Sequence, residues 1–339
     1  MLTNGKNPVN VLSDDVLQTI FELCCAAKTA NGITYLYRLQ PRSAGQLPFQ
    51  HTLLQVCQRW AGIVAHARLL WSSLLLLDID KNMGRRLSRA LDLSGEAPLD
   101  IDAIACDCKT LAKILSPHTR RLRTLSVGYG EWDWTAMHDV PALEYVDFTG
   151  FKPPATDYES ISVVLTSAPA LRRVTCSPKL VVHIMFPRAQ IVELRIHREA
   201  LSNPFDKSEI IRTPKDKKCL FDIISAAPLR LLTCTDDTGS EFPAMIKPDI
   251  EVAQFPRSWL PRFTLPSLRK YSICWDRDLE IKDILDLFHR SGCTLTHLDI
   301  SNFNGSAIEG ALEELLLALP LLTPGAIYWA VVNVQWLGL

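Results

Sequence analysis

Residues 53–74, with the sequence LLQVCQRWAGIVAHARLLWSSL, contain the apolar spacing of an amphipathic helix. Apolar residues recur there at steps of three and four, which is the period of one face of a helix. We therefore predict a core helix over residues 53–67, whose main buried side is formed by Leu53, Cys57, Trp60, Ala61 and Val64. From Trp71 the spacing changes to Trp71-x-x-Leu74-x-Leu76, which predicts a strand soon after the helix.

A second helix is predicted upstream, beginning at Ser13. The Ser13 hydroxyl can accept a hydrogen bond from a backbone amide of the first turn. Asp14 and Asp15 then lie at the positive end of the helix dipole, where carboxylates are favourable. The helix is predicted to extend to residue 27, and its apolar face is expected to consist of Val16, Leu17, Ile20, Phe21 and Cys24.

Together, the two helices resemble an F-box. The first half of that motif is matched by Leu12-Ser13-Asp14-Asp15-Val16-Leu17-Gln18-Thr19-Ile20-Phe21, and the second half by Val56-Cys57-Gln58-Arg59-Trp60 followed by Leu70-Trp71. The resemblance covers residues 11–71. Within F-box proteins, the chain is similar to the large families of mushroom-forming fungi. The chain departs from the family at Ser13, where proline is usual, and in the long spacer over residues 26–50.

The resemblance implies a substrate-recognition subunit of an SCF-type cullin–RING ubiquitin ligase. The helical module would dock a Skp-type adaptor, which connects it to the cullin scaffold, and the rest of the chain would hold a protein target. The residues implied in adaptor docking are Leu12, Val16, Ile20, Trp60 and Leu70. Such a receptor carries out no covalent chemistry and needs no cofactor. The resemblance also implies an intracellular protein of the cytoplasm, the nucleus or both.

The long spacer within this module is expected to be a mobile surface loop. Residues 28–50 contain Asn31-Gly32, Pro41, Gly45 and Pro48, which are turn formers and helix breakers. Residues 1–10, which precede the module, are expected to form a flexible tail.

A repeat follows the helical module and indicates the architecture of the remaining chain. The template Leu-x-x-apolar-x-apolar occurs seven times, starting at Leu122, Leu143, Leu171, Ile191, Leu229, Leu268 and Leu295. Several copies follow an amphipathic segment that ends at proline or glycine, which predicts alternating helices and strands. This unit resembles a degenerate leucine-rich repeat. The expected fold is therefore α/β, an all-α F-box-like module followed by an irregular solenoid over residues 72–325.

Other parts of this region carry their own predictions. A helix is predicted over residues 82–93 and a half-buried strand over residues 98–103. Residues 202–218 and 235–266 are rich in proline or charge and are expected to form long loops. Another helix is predicted over residues 307–319. The apolar tail, residues 326–339, is open to two interpretations, a cap over the last repeat or an altered terminus.

Composition argues against several classes of function. The net charge of −1 provides no overall field for nucleic acid or acidic membranes. The ten cysteines have no metal-ligand spacing, and the first ten residues lack the apolar segment of a secretory signal, so we expect reduced thiols and no metal site. No apolar run approaches the roughly 20 residues of a membrane-spanning helix.

Binding is favoured over catalysis because the sequence has no recognisable catalytic motif. We therefore expect no enzyme, although a site assembled from distant segments would escape a motif search. Residues between the apolar template positions should share one face of the sheet. Those expected to contact a target are Tyr145, Arg173, Glu193, Arg195, Lys270 and His297. Trp132 and Trp134 are either exposed interaction residues or loop residues packed back onto the repeats.

A different hypothesis makes the chain a non-catalytic repeat scaffold, in which the F-box-like helices only cap the first repeat. The two hypotheses differ in the exposure of Leu12, Val16 and Ile20. An exposed apolar patch would favour adaptor docking, and a face buried against the repeats would favour the cap.

Overall fold

The computed structural model describes residues 11–25, 27–28, 34–35, 37–39, 49–76, 83–105, 108–129, 132–151, 157–197, 213–235, 243–274, 281–301 and 327–330. The chain divides into two compact units, Met1–Leu171 and Arg172–Leu339. Each unit combines helices with a sheet whose paired strands are parallel, so the predicted α/β class is confirmed.

The described N-terminal part of the first unit contains the helices α1 (Asp14–Cys25), α2 (Phe49–Leu54), α3 (Gln58–His66) and α4 (Leu69–Ser72). The predicted start of α1 is confirmed, because the Val16 backbone amide lies 3.4 Å from the Ser13 hydroxyl oxygen that accepts its hydrogen bond. The prediction of one continuous helix over residues 53–67 is wrong. Cys57 is extended, with φ −163° and ψ 167°, and it separates α2 from α3.

The apolar face predicted for α1 is buried only in part. Leu17, Phe21 and Cys25 are buried at four-residue spacing, whereas Val16 and Ile20 are exposed. The helix contacts α2, α3 and α4. Its apolar residues are more numerous than these contacts can cover, so part of its apolar surface stays in solvent.

Among the described residues of the first unit, five strands pair in parallel. They are β3 (Tyr37–Leu39), β4 (Ser73–Leu76), β5 (Leu99–Ala105), β6 (Leu122–Tyr129) and β7 (Tyr145–Phe148), adjacent in chain order. An antiparallel pair, β1 (Ala27–Lys28) and β2 (Thr34–Tyr35), precedes them. The prediction of a loop over residues 28–50 is therefore wrong in its described part, which includes β2, β3 and the start of α2.

Helices lie between and after these strands. α5 (Met83–Ser94) lies between β4 and β5, α6 (Cys108–Leu115) lies between β5 and β6, and α7 (Tyr158–Thr166) follows β7, with 3-10 turns at Ser116–Arg121 and Trp134–Ala136. The helix predicted over residues 82–93 and the strand predicted over residues 98–103 are confirmed as α5 and β5. The strand was expected to be half-buried, but Asp100 and Asp102 are also covered, so both of its faces are buried. Parallel strands require such crossover connections, because a tight hairpin can join only antiparallel neighbours.

The paired strands of the second unit are also parallel. Its strands in spatial order are β8 (Arg173–Cys176), β9 (Glu193–Ile196), β10 (Leu231–Cys234), β12 (Val252–Gln254), β14 (Lys270–Cys274), β15 (His297–Ser301) and β16 (Ile327–Ala330). A small parallel pair is formed by β11 (Met245–Ile246) and β13 (Phe263–Thr264). The helices are α8 (Pro178–His183), α9 (Pro214–Ala226) and α10 (Ile281–Ser291), with 3-10 turns at Arg188–Gln190 and Arg257–Arg262.

All seven copies of the template contain a strand, and neighbouring copies within each unit pair at equivalent positions. An eighth copy was missed. Ile250, Ala253 and Phe255 have the same spacing and are buried, and β12 lies between β10 and β14. The prediction of a loop over residues 235–266 is therefore wrong in its described part, which contains β11, β12 and β13. The template was hidden because small Ala253 occupies an apolar position and prolines flank the copy.

Two further predictions fall partly outside the described residues. Of the loop predicted over residues 202–218, only the end is described, and it belongs to α9, which begins at Pro214. In the apolar tail, the described Ile327–Ala330 forms β16, which pairs with β15 and extends the sheet. The helix predicted over residues 307–319 and the tail predicted over residues 1–10 lie outside the described residues.

Candidate functional site

An exposed apolar stripe runs along α1. Val16 is 45% exposed, Ile20 39% and Leu23 72%. These residues are four and three positions apart, so they lie on one side of the helix. We call these three residues the α1 stripe. The opposite side of α1 is anchored by buried Leu17, Phe21 and Cys25, so the stripe is presented on a packed helix. This is the spacing with which an amphipathic helix contacts a partner groove.

The two halves of the F-box-like pattern meet in space at the start of α1. Arg59 in α3 donates a hydrogen bond from Nε to Asp14 Oδ1 at 2.9 Å, and its Nη2 donates to the backbone carbonyl of Leu12. The Trp60 ring packs against Phe21 of α1, with ring centroids 4.8 Å apart. Leu12 and Trp60 are both half-buried. The structure therefore places Leu12 and Trp60 beside the helix that carries Val16 and Ile20.

Leu70 does not belong to this surface. Its side chain is 0% exposed, so in this structure it has no surface to offer a partner. It lies in α4, where the neighbouring Trp71 donates from Nε1 to the carbonyl of Val64 at 2.7 Å. Gln50 of α2 donates to the Leu70 carbonyl at 3.4 Å. The docking role implied for Leu70 is therefore corrected to a core position where α2, α3 and α4 pack.

The sheet residues expected to contact a target differ between the two units. In the first unit, the polar residues between apolar positions are buried; they are Asp100, Asp102, Thr124, Ser126, Tyr145 and Asp147. The Tyr145 hydroxyl donates to Asp147 Oδ2 at 3.1 Å. The prediction that Tyr145 contacts a target is therefore wrong for this structure, because its side chain is covered and its hydroxyl is engaged.

The buried carboxylates of this face have contrasting environments. Asp100 accepts from Arg123 Nε at 2.9 Å and from the Thr124 hydroxyl at 3.0 Å. Asp102 is 1% exposed, and its Oδ1 has no hydrogen-bond partner. Burial, opposed by a hydrogen bond with Ser126 and assisted by the charge of Asp147, raises the pKa of Asp102 to about 6. No cluster of three or more His, Cys, Asp or Glu suited to a metal occurs in the described part of the chain.

The corresponding face in the second unit is accessible. Arg173, Glu193, Arg195 and His297 are half-buried, and Lys270 is exposed. The structure aligns four of them across neighbouring strands, pairing Arg173 with Glu193 and Lys270 with His297 in the strand register. Glu193 and Arg195 form a loose ion pair at 3.8 Å on β9 itself. We call this surface, formed by the polar and apolar side chains between the buried template positions of β8 to β15, the open face.

The tryptophans proposed as exposed interaction residues are buried. Trp132 and Trp134 are covered, and their ring centroids lie 5.7 Å apart. Trp134 also meets Phe148 and Phe151 edge-on, at 5.5 and 5.9 Å. The exposed interpretation is therefore wrong, and the alternative, loop residues packed back onto the repeats, is confirmed.

Sequence reasoning overlooked two accessible apolar sites. Leu23 completes the α1 stripe, and its seven-residue distance from Val16 was the available signal. Val252 is half-buried on the open face and was missed together with its repeat, β12. Neither residue has a polar or catalytic side chain, so both add contact surface.

Comparison with known proteins found no match to the chain, either among family models or among curated proteins. Among the described residues, none of the helices combines the length and the apolar composition needed to cross a bilayer.

Proposed function

We propose that this protein is the substrate-recognition subunit of an SCF-type cullin–RING ubiquitin ligase. Its N-terminal helices would form an F-box-like module that docks a Skp-type adaptor, and the repeats would form a leucine-rich-repeat-like solenoid that binds a target. In this proposal the protein acts in the cytoplasm or nucleus, without a cofactor. It works by raising the effective concentration of the target near the ubiquitin-conjugating enzyme.

The observation that carries the proposal is the α1 stripe. Three apolar side chains remain in solvent on a helix whose other side is buried against α2, α3 and α4. Exposed apolar residues grouped on one helix side are typical of protein contacts. The contact from Arg59 to Asp14 and Leu12 adds support, because it connects the two sequence segments that resemble the F-box halves.

One observation favours the scaffold alternative. Leu70 is fully buried, and α4 leads directly into β4 and contacts α5. The second half of the F-box-like pattern thus has a packing role at the start of the sheet. This role explains α4, but it does not explain why α1 exposes Val16 and Ile20.

Adaptor binding tests the proposal. The full chain would be titrated with a purified fungal Skp-type adaptor, beside Ile20→Asp and a matched control, Val163→Asp. Val163 is 64% exposed on α7 and is not part of the α1 stripe. We expect Ile20→Asp to weaken binding by at least about tenfold because it places a charge in an apolar contact. Val163→Asp should leave binding unchanged.

Circular dichroism would establish that both variants remain folded. If the folded wild-type chain does not bind the adaptor, the proposed function is wrong and the scaffold alternative is favoured. If Ile20→Asp binds as well as wild type, the α1 stripe is not the docking site.

A further inference from the structure

The open face of the second unit contains one row of side chains that crosses the strands. The parallel register aligns, strand by strand, Arg173, Glu193, Leu231, Val252, Lys270 and His297. Neighbouring strands are about 4.8 Å apart, so each side chain is about that distance from the next along the row. The row therefore forms a defined sequence of chemical groups that a ligand lying across the strands would meet in order.

An apolar spot lies in the middle of this row. Leu231 and Val252 are directly paired in the register of β10 and β12, and both are half-buried. Their neighbours in the row, Glu193 and Lys270, are charged. The accessible part of the spot can therefore take one apolar side chain, and charged groups border it on both sides.

A basic group lies directly beside the apolar spot. Lys270, the first residue of β14, is exposed and pairs in register with Val252, and exposed Arg269 precedes the strand. Among the described residues, neither forms an ion pair with a carboxylate. The nearby acidic side chain of Glu251 already accepts from Arg230, at 2.6 Å. The positive charge at the start of β14 is therefore available to an acidic partner.

We infer that the open face binds an extended peptide segment with an apolar residue two positions from an acidic residue. The apolar side chain would lie on Leu231 and Val252, and the carboxylate would pair with Lys270. Residues two apart in an extended chain point to the same side at about 6.8 Å, between the one-strand and two-strand distances of this row. The inference rests on the proposed function in one respect, because the segment is taken to belong to a degradation target.

The composition of the face favours a peptide over a nucleic acid. A phosphate backbone would meet Glu193 in the same row and exposed Asp299 on β15. The negative charges of these two residues would repel a continuous polyanion, whereas a single carboxylate beside Lys270 would contact neither of them. The apolar pair Leu231 and Val252 also matches a side chain better than a sugar–phosphate chain.

Peptide selection tests this inference. A displayed library of random peptides would be selected against the full-length chain. We expect enrichment of sequences with Leu, Ile or Val two positions from Asp or Glu. Lys270→Glu should lose the preference for acidic residues, because the substitution places like charges together, and a labelled peptide selected on wild type should bind about tenfold more weakly. Lys282→Glu, an exposed lysine on α10, is the matched control and should select as wild type does.

Three results would overturn the inference: no enriched pattern on the folded wild-type chain, an enriched pattern without an acidic residue, or an unchanged preference in Lys270→Glu. Single-stranded nucleic acid would be titrated in parallel. Tight binding of the nucleic acid would show that the open face binds a polyanion, and the peptide inference would be wrong. Adaptor binding, measured on the same preparation, separates the two proposals. Peptide selection without adaptor binding would leave the open face as a peptide site and reject the ligase role. Adaptor binding without peptide selection would support the ligase role and reject the peptide site on the open face.

Discussion

The guanidinium of Arg59 joins α3 to the start of α1, with its Nη2 2.7 Å from Asp14 Oδ1. The same guanidinium also donates to the Leu12 carbonyl. One side chain therefore holds the residue before the helix and a carboxylate in its first turn, across 45 positions of sequence. This contact orients the beginning of α1, which carries the α1 stripe.

Removing this contact should destabilise the module modestly. Arg59→Ala should lower the free energy of unfolding by about 1 kcal/mol, because the ion pair is partly exposed and the carbonyl loses a charged donor. Urea denaturation of Arg59→Ala, Asp14→Ala and the double variant would give the coupling between the two side chains. A coupling energy of zero would show that the pair does not contribute in solution.

The two sides of α1 should respond differently to the same substitution. Leu17 is buried and Leu23 is 72% exposed on this helix. Leu17→Ala should cost about 2–4 kcal/mol of stability, because it leaves a cavity against the neighbouring helices. Leu23→Ala should change stability by less than about 0.5 kcal/mol. Equal losses, measured by denaturation of the two variants, would mean that the exposed and buried sides of α1 are assigned incorrectly.

Trp71 should be more sensitive than Trp60 to replacement by phenylalanine. The Trp71 indole is fully buried and donates from Nε1 to the Val64 carbonyl. Trp71→Phe should therefore lower stability by about 2–4 kcal/mol through the lost hydrogen bond and the smaller ring. Trp60 is half-buried, and Trp60→Phe keeps an aromatic ring against Phe21, so its cost should stay below about 1 kcal/mol. Thermal and urea unfolding of both variants would check this order.

Asp102 should make stability depend on pH. Burial raises its pKa from the ordinary 3.8 to about 6 in the folded chain. Protonated Asp102 fits the buried site, so its contribution to stability is complete below pH 4 and is lost as the pH rises to 6. Asp102→Asn carries no charge and should be more stable than wild type above pH 6, by about 1–3 kcal/mol. The advantage should disappear near pH 4.

The neighbouring Asp100 provides the control for this prediction. Its carboxylate is paired with Arg123, so Asp100→Asn should destabilise the chain by about 1 kcal/mol at neutral pH. Urea unfolding at several pH values would compare the two variants. The interpretation of Asp102 would be wrong if Asp102→Asn were less stable than wild type at pH 7.

Local features of the fold could be predicted well. The start of α1 at Ser13 follows from capping chemistry within one turn, and the seven template strands follow from an apolar spacing that each segment carries by itself. The helix over residues 82–93 was likewise predictable as α5 from its own periodicity. These features depend on neighbours within one element, which the order of residues specifies directly.

The identity of the covered surfaces could not be predicted in this way. Leu17 and Val16 have equivalent apolar character, but only Leu17 is covered by other helices. The polar residues between template positions follow one pattern, yet Tyr145 is buried and Lys270 is exposed. Exposure depends on segments far away in sequence, which spacing does not describe.

The sequence by itself determined which residues share one side of each helix or strand, because the periods of 3.6 and 2 are properties of the local backbone. It thereby determined the repeated strands and the apolar character of α1. Only the tertiary structure decided that the helix is interrupted at Cys57, that Leu70 is buried, and that Val16 and Ile20 remain exposed to solvent. The reason is physical: burial is a contact between distant segments, and a period specifies a face but not the element that covers it.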